Sequence, residues 1–313
     1  MNRPPDASLW QGRVDAEEGP RAVRFHQRVR PWSAGAAPGS ALLGFACDAG
    51  VIRNQGRPGA AEGPAAIRRA LASLAWHASR PLWDAGDVVC EGDALEAAQA
   101  ELGAAVAALL GEGQRPIVLG GGHEVAHGSF LGLAAHAARS AKAPVIGVLN
   151  VDAHFDLRTG PRGTSGTPFR QIAEVCAARG WPFRYHCLGV DEASNTAALF
   201  DTAARLGASW RSDRDAGLQR LAEVRAEVAA FAASVELVHL SIDLDGLPAA
   251  VAPGVSAPAA RGVPLEVVET VVDDVLATGR VALVEIAECS PTLDPDGRTA
   301  KVAARLAARA AQS

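Results

Sequence analysis

The chain has 313 residues, 49% of them hydrophobic, and a formal net charge of −5. That supports a large core in one α/β domain or two smaller ones, and the negative balance argues against a nucleic-acid partner. Lysine occurs only at Lys142 and Lys301, and the five scattered cysteines (Cys47, Cys90, Cys176, Cys187, Cys289) form no C-x-x-C pair, so unpaired thiols in a reducing compartment are expected.

In chain order, residues 1–38 are rich in Pro, Gly, Trp and charge and read as an arm laid on the following domain, with a short helix near "EEGPRAVRFHQRV". The opening "MNRPPDASLWQGRVDAEEGPR" has no apolar stretch of signal-peptide type, and no apolar run nears the ~20 residues of a membrane span. A soluble, cytoplasmic protein without a membrane partner is expected. From residue 39 to 313 short apolar runs alternate with amphipathic, alanine-rich stretches. The runs are "ALLGFACDAG", "PLWDAGDVV", "PIVLGGG", "PVIGVLNVDAH", "PFRYHCLGV", "LVHLSIDLD" and "VALVEIAEC"; the stretches include "GPAAIRRALASLA" and "DALEAAQAELGAAVAALLGEG". This alternation predicts a single α/β domain of three layers, α/β/α, with a mainly parallel sheet.

Ligands of open parallel sheets gather beyond the carboxyl ends of the strands. There the unusual polar residues fall: His123, then Asp152 to Asp156, then Asp243 and Asp245, then Glu288. The stretch "HEVAH" (123–127) also fits the zinc-protease pattern H-E-x-x-H. That pattern needs a helix already running at its first histidine, whereas His123 follows "VLGGG", where glycines favour a sharp turn. His123 is therefore expected at a strand-to-helix turn, with His127 pointing elsewhere.

In "NVDAHFD", Asp152, His154 and Asp156 alternate, which in an extended segment projects them to one side; Asp243 and Asp245 in "SIDLD" repeat the device. A lone D-x-D is more often a turn, and a lone buried histidine a core residue; the specific signal is their combination at strand ends. Facing acidic ends repel unless cations lie between them. Two imidazoles and four carboxylates are too many for one zinc, suit Mn²⁺ better, and can bridge two ions about 3.5–4 Å apart.

G-G-x-H, D-A-H-x-D and S-x-D-x-D at these spacings resemble the ureohydrolase family of arginases and agmatinases, over about residues 40 to 300. "GAAEGPAAIR", "WDAGDV" and "VEIAECSPTLD" support the likeness. The resemblance implies the arginase-like α/β/α fold and two Mn²⁺ ions per chain. It implies that His123 and Asp156 hold one ion, His154 and Asp245 the other, and that Asp152 and Asp243 bridge them. It implies that water activated between the ions cleaves a C–N bond, that Glu288 holds the amidinium or guanidinium head, and that the protein is a homo-oligomer. Proton delivery to the leaving nitrogen is expected to fall to Asp156, to a water or to a histidine from elsewhere, with Asp156 the favoured catalytic carrier.

Within the family, "GGGHE", "RNQGRPGAAEGP", "DAHFDLR", "TSGTPFRQI" and "SNTAALF" are similar to a subgroup acting on a small amidine that carries two carboxylates. Arginine suits such a tail through paired charge-assisted hydrogen bonds, so Arg57 and Arg158 are the expected substrate anchors, with Asn195 a weaker candidate. One position departs from the family: Ser165 stands where its members carry a proton-shuttling histidine, and serine does not titrate near neutral pH. Another amidine hydrolase on the same scaffold, and a metal-binding relative without activity, remain alternatives at this stage.

Overall fold

Each of the seven apolar runs forms a strand in the computed structural model, which describes residues 2–78, 80–140 and 144–312. In chain order the strands are β1 (Asn2–Arg3), β2 (Arg30–Pro31), β3 (Ser40–Ala46), β4 (Leu82–Val89), β5 (Arg115–Leu119), β6 (Ile146–Val151), β7 (Arg184–Val190), β8 (Ser209–Ser212), β9 (Leu237–Asp243) and β10 (Val281–Ala287). The helices are α1 (Phe25–Arg28), α2 (Ala49–Arg53), α3 (Gly63–Ala72), α4 (Leu95–Gly111), α5 (Val125–Ala137), α6 (Pro168–Arg179), α7 (Ala197–Arg205), α8 (Leu221–Ala233), α9 (Leu265–Ala277) and α10 (Arg298–Gln312).

The strands make one sheet in the order β1-β4-β3-β5-β10-β9-β6-β7-β8, with β2 also on β4. The pairings are parallel apart from β1 against β4. Strands β3 and β6 are buried along their whole length, which is why they read as continuous apolar runs rather than alternating ones. Helices α3, α8, α9 and α10 contribute Ile67, Val228, Val271 and Leu306 to the core on one face. On the other, α4 brings Leu102, and α5, α6 and α7 bring Phe130, Phe169 and Leu199. Local signals set the boundaries: Pro168 opens α6, where its missing N–H costs nothing, and left-handed Gly180 (φ 66°) closes it.

β8, "SWRS", is a short outer strand without an apolar run. The two-residue strands β1 and β2 both use β4 as their template. Along β4 buried and partly exposed residues alternate. The same strand carries a buried charge network. Arg68 of α3 is 1% exposed and makes a two-pronged contact with Asp84, at 3.0 Å from Nε and 2.9 Å from Nη2. Its Nη1 donates to Asp87 at 2.6 Å, and the indole N–H of Trp10 donates to Asp84 at 2.8 Å. One guanidinium thus ties helix, strand and N-terminal segment together.

Removing one partner of such a buried pair strands the other charge without solvent. Arg68→Met is expected to lose roughly 3–5 kcal/mol of unfolding free energy in chemical denaturation. A loss below about 1 kcal/mol, the range of a surface ion pair, would show that the network does not fasten the arm.

Candidate metal centre and active site

β5, β10, β9 and β6 are neighbours in the sheet, and their carboxyl ends deliver the polar residues singled out from the sequence. After β5 the chain passes through Gly120, Gly121 and Gly122 into His123. A Cβ at Gly121 would lie 1.7 Å from the carbonyl oxygen of Cys47, so only glycine lets this turn pass the end of β3. α5 begins at Val125, beyond His123, so the H-E-x-x-H stretch is a turn followed by a helix. Glu124 faces inward, accepts from the Gly50 amide at 2.9 Å, and is pushed up to about 7 by burial. His127 lies 3.4 Å from the Gln99 side-chain oxygen, and burial lowers its pKa to about 4.

The other ligand candidates reach the same place by a different route from the one expected. β6 stops at Val151, and the segment after it is not extended. Asp152 Oδ1 instead accepts from the His154 amide at 2.7 Å, closing a small turn, and Asp156 adopts a left-handed backbone (φ 49°). Asp243 ends β9 and accepts from the Asp245 amide at 2.8 Å, the same turn again. Turns, not the alternation of an extended segment, bring these side chains together.

His123 Nδ1 lies 2.8 Å from Asp243, 2.9 Å from Asp156 and 3.1 Å from Asp152, yet makes no hydrogen bond of acceptable geometry to any of them. His154 Nδ1 is 3.3 Å from Asp245 and 3.4 Å from Asp152. Two groups of converging ligand atoms result: His123, Asp152, Asp156 and Asp243, and next to them Asp152, His154 and Asp245. Asp152 belongs to both. An imidazole nitrogen without a partner, ringed by buried carboxylates that can only accept, is the donor set a divalent cation requires. These residues fit two metal ions sharing a carboxylate.

Electrostatics support that fit. Burial, then Asp243, raises Asp245 and Glu288 well above the usual carboxylate range. Asp156 is pushed up to about 6 by burial and by Asp152. Burial opposes charge on His123 and His154, but the carboxylates around them, led by Asp243 for the first and Asp245 for the second, outweigh it and hold both rings well above the usual imidazole range.

A cavity of about 370 Å³ opens onto the cluster. His123, His154, Asp156, Asp243, Asp245 and Glu288 form its polar floor, while Asn54, Arg57, Arg158, Ser165 and Ser256 are also on its lining. Glu288, with φ 68°, accepts from the His123 amide through Oε1 at 2.9 Å and leaves its buried Oε2 without a partner. Arg158 is exposed, and among the described residues its guanidinium has no hydrogen bond or ion pair. Arg57 is more constrained than expected: Nε and Nη2 donate to the carbonyls of Ser256 and Val255, at 2.9 and 2.7 Å, clamping two rim loops.

Asn195 is a correction. It does not line the cavity; its amide is consumed by Phe155 N–H and the carbonyls of Ala153 and Asp191, at 3.0, 2.9 and 2.8 Å. It shapes the 152–156 turn, and both of its N–H donors are spent there. Asn54 and Ser256 were missed, because nothing marks a loop asparagine or serine as cavity-lining. Asn54 donates to Ser165 Oγ at 3.1 Å.

A sequence-family model described as the Arginase family matches residues 39–312. A formimidoylglutamase of Ralstonia nicotianae is 59% identical over 313 residues, covering 99% of this chain and 96% of that protein. The crystal structure of formimidoylglutamase from Bacillus subtilis superposes with a TM-score of 0.83 at 24% identity, covering 96% and 94% of the two chains. Formiminoglutamase of Trypanosoma cruzi, solved with Mn²⁺, superposes at a TM-score of 0.77 and 25% identity, covering 99% and 98%. The α/β/α fold expected from the sequence is that of these neighbours.

Two outcomes test the centre. Asp243→Ala should abolish stoichiometric Mn²⁺ binding, while His127→Ala keeps it, as read by metal content after dialysis; the opposite pattern would restore the zinc-helix reading. Metals bind the unprotonated ring, so the protons that the carboxylates hold on His123 and His154 must leave on binding. Affinity should therefore rise with pH between about 6 and 8, with net proton release in calorimetry across buffers of different ionisation heat. A pH-independent affinity would contradict this assignment.

Proposed function

The chain belongs to the arginase family, and from that premise we propose that its cavity hydrolyses N-formimidoyl-L-glutamate and water to L-glutamate and formamide. The protein is a hydrolase of C–N bonds in linear amidines. The observation that carries the substrate is the polarity of the cavity: acids and imidazoles on the floor, and an unpaired arginine with neutral donors also on the lining. Formimidoylglutamate has the matching polarity, a cationic amidine at one end and two carboxylates at the other. Agmatine, with an amine in place of those carboxylates, would set like charge against Arg158.

In this reading His123, Asp152, Asp156, His154, Asp243 and Asp245 hold two Mn²⁺ ions, as the carboxylate-rich donor set favours. Bound there, such a pair supplies Lewis acidity and brings the pKa of a water toward neutrality. The protein's own residues do the rest. Glu288 presents its unpartnered oxygen to the amidinium, and a cation there stabilises its ionised form. Arg158 anchors a carboxylate by a two-pronged contact; Arg57, two of whose nitrogens clamp the rim, has less to offer. These contacts fix the formimino carbon over the floor, which replaces an entropic cost by binding energy.

Water adds to that carbon, the carbon–nitrogen bond to the glutamate nitrogen breaks, and that nitrogen leaves with a proton. Asp156 lines the floor, and it is the proton carrier this reading assigns. Ser165 cannot serve by titrating; it offers a hydroxyl oriented by Asn54. Five free cysteines agree with a cytoplasmic setting, and among the described residues no helix is long and apolar enough to cross a membrane. By family likeness the enzyme is a homo-oligomer, a point for sedimentation analysis.

The direct test is glutamate release from formimidoylglutamate by Mn²⁺-loaded protein, beside urea release from arginine, agmatine and guanidinobutyrate. Glutamate release alone is expected; dominant urea release would move the assignment to another member of the family. Arg158→Gln should raise KM for formimidoylglutamate by roughly 10- to 100-fold, the worth of a charged hydrogen-bonding contact, with a much smaller change in kcat. An unchanged KM would remove Arg158 from the anchor role.

A further inference from the structure

Behind the ligand cluster lies a buried histidine–glutamate contact that the hydrolysis does not use. His239 and Ser241 stand four and two residues before Asp243 on β9, and so share its side of the strand. Glu285 is opposite Ser241 on β10. His239, Ser241 and Glu285 are all 0% exposed. His239 Nε2 is 3.1 Å from Glu285 Oε1, and the Ser241 hydroxyl donates to the same oxygen at 2.7 Å. The Ser241 oxygen is also 2.9 Å from His123 Nε2.

The hydrogen-bond directions follow from counting protons. Burial alone would raise the Glu285 pKa, but His239, the Ser241 hydroxyl and the nearby His123 ring hold it below the usual range, so it is an acceptor only. The single Ser241 proton is then committed to Glu285, and Ser241 can meet His123 only by accepting from Nε2–H. Once the ring gives up its second proton, that leaves His123 Nδ1 to present its lone pair to the side where Asp152, Asp156 and Asp243 converge. Phe169, with its ring centroid 5.2 Å away, packs edge-on against the imidazole and restrains its plane.

We propose that Glu285, paired with His239 and acting through Ser241, is a positioning relay that fixes the Nε2–H tautomer of His123 and sets the affinity of the metal site this histidine serves. The proposal rests on the reading of His123 as a metal ligand. Groups holding the far nitrogen of a ligating histidine typically matter by 10- to 100-fold in metal affinity. A buried polar contact retained only for packing would have no such effect on one ion and not the other.

The test strips full-length protein, Ser241→Ala and Glu285→Gln of metal and titrates each with Mn²⁺ alone. Free Mn²⁺ is followed by electron paramagnetic resonance, with thermal unfolding of the metal-free proteins alongside. The parent is expected to take up two ions. Both variants should bind one of the two roughly 10- to 100-fold more weakly and the other within a few-fold of the parent. Glu285→Gln is close in shape, so it decides the matter if Ser241→Ala fails to fold. Parent-like binding of both ions in the folded variants, or equal weakening of both sites, would overturn the relay. A parent that binds no Mn²⁺ would instead overturn the metal reading beneath it.

Discussion

Five carboxylates and two imidazoles brought together at four neighbouring strand ends are the constraint on which the rest of this structure depends. Two like charges about 4 Å apart repel by roughly 4 kcal/mol even at an effective dielectric constant of 20, and burial adds a desolvation cost for each ion. The metal-free protein meets this by proton uptake: Asp245 and Glu288 are driven toward the neutral acid and the two histidines toward the cation. Divalent ions remove the same repulsion and free those protons. The chemistry of the site and the stability of its surroundings therefore share one cause.

How much of this was legible in the sequence follows from the physics of each element. Strands buried on both faces, such as β3 and β6, must be apolar throughout and are therefore visible. Strand ends are visible because charge appears where the apolar run stops, and four of them supplied the floor. Elements without a core face were not: β8 is short and exposed at its start, and the arm strands are two residues long. The turn geometry at Asp152 and Asp156 was also hidden, since it depends on distant partners. The Asp156 carbonyl accepts from Phe169 N–H at 3.3 Å, and the Asn195 amide ties down the carbonyl of Ala153 and the N–H of Phe155. A cue such as "ASNT" cannot distinguish an asparagine that touches ligand from one whose amide is already spent.

The cavity's rim was least legible, because it is assembled from segments far apart in the chain. Arg57 and Ser256 are 199 residues apart and meet through a hydrogen bond from the Arg57 amide to Ser256 Oγ at 2.8 Å. Asn54 and Ser165 are 111 apart. Ser165 was noticed only as a departure from the histidine of related chains. Its structural setting gives that departure a physical sense: a hydroxyl that already accepts from Asn54 has its own proton to offer, which suits a substrate end rich in carboxylate oxygen.

Backbone strain follows the same map. Among the described residues, four that are not glycine have positive φ: Gln55, Asp156, Glu288 and Asp296. The first three line the cavity. Each such residue costs of order 1–3 kcal/mol and persists only where its surroundings over-determine it. The surroundings of Glu288 are specific: its amide donates to the Gly121 carbonyl at 2.8 Å while its side chain holds the His123 amide, locking the ends of β5 and β10 together. A strand continuing in extended form would carry Glu288 and Asp156 onward along the strand direction. Turning both residues left-handed brings their carboxyl groups onto the lining of one cavity, beside those of Asp243 and Asp245. The strain is thus the geometric cost of convergence, and it falls where charge repulsion is also greatest. Both penalties are offset at once when cations occupy the floor.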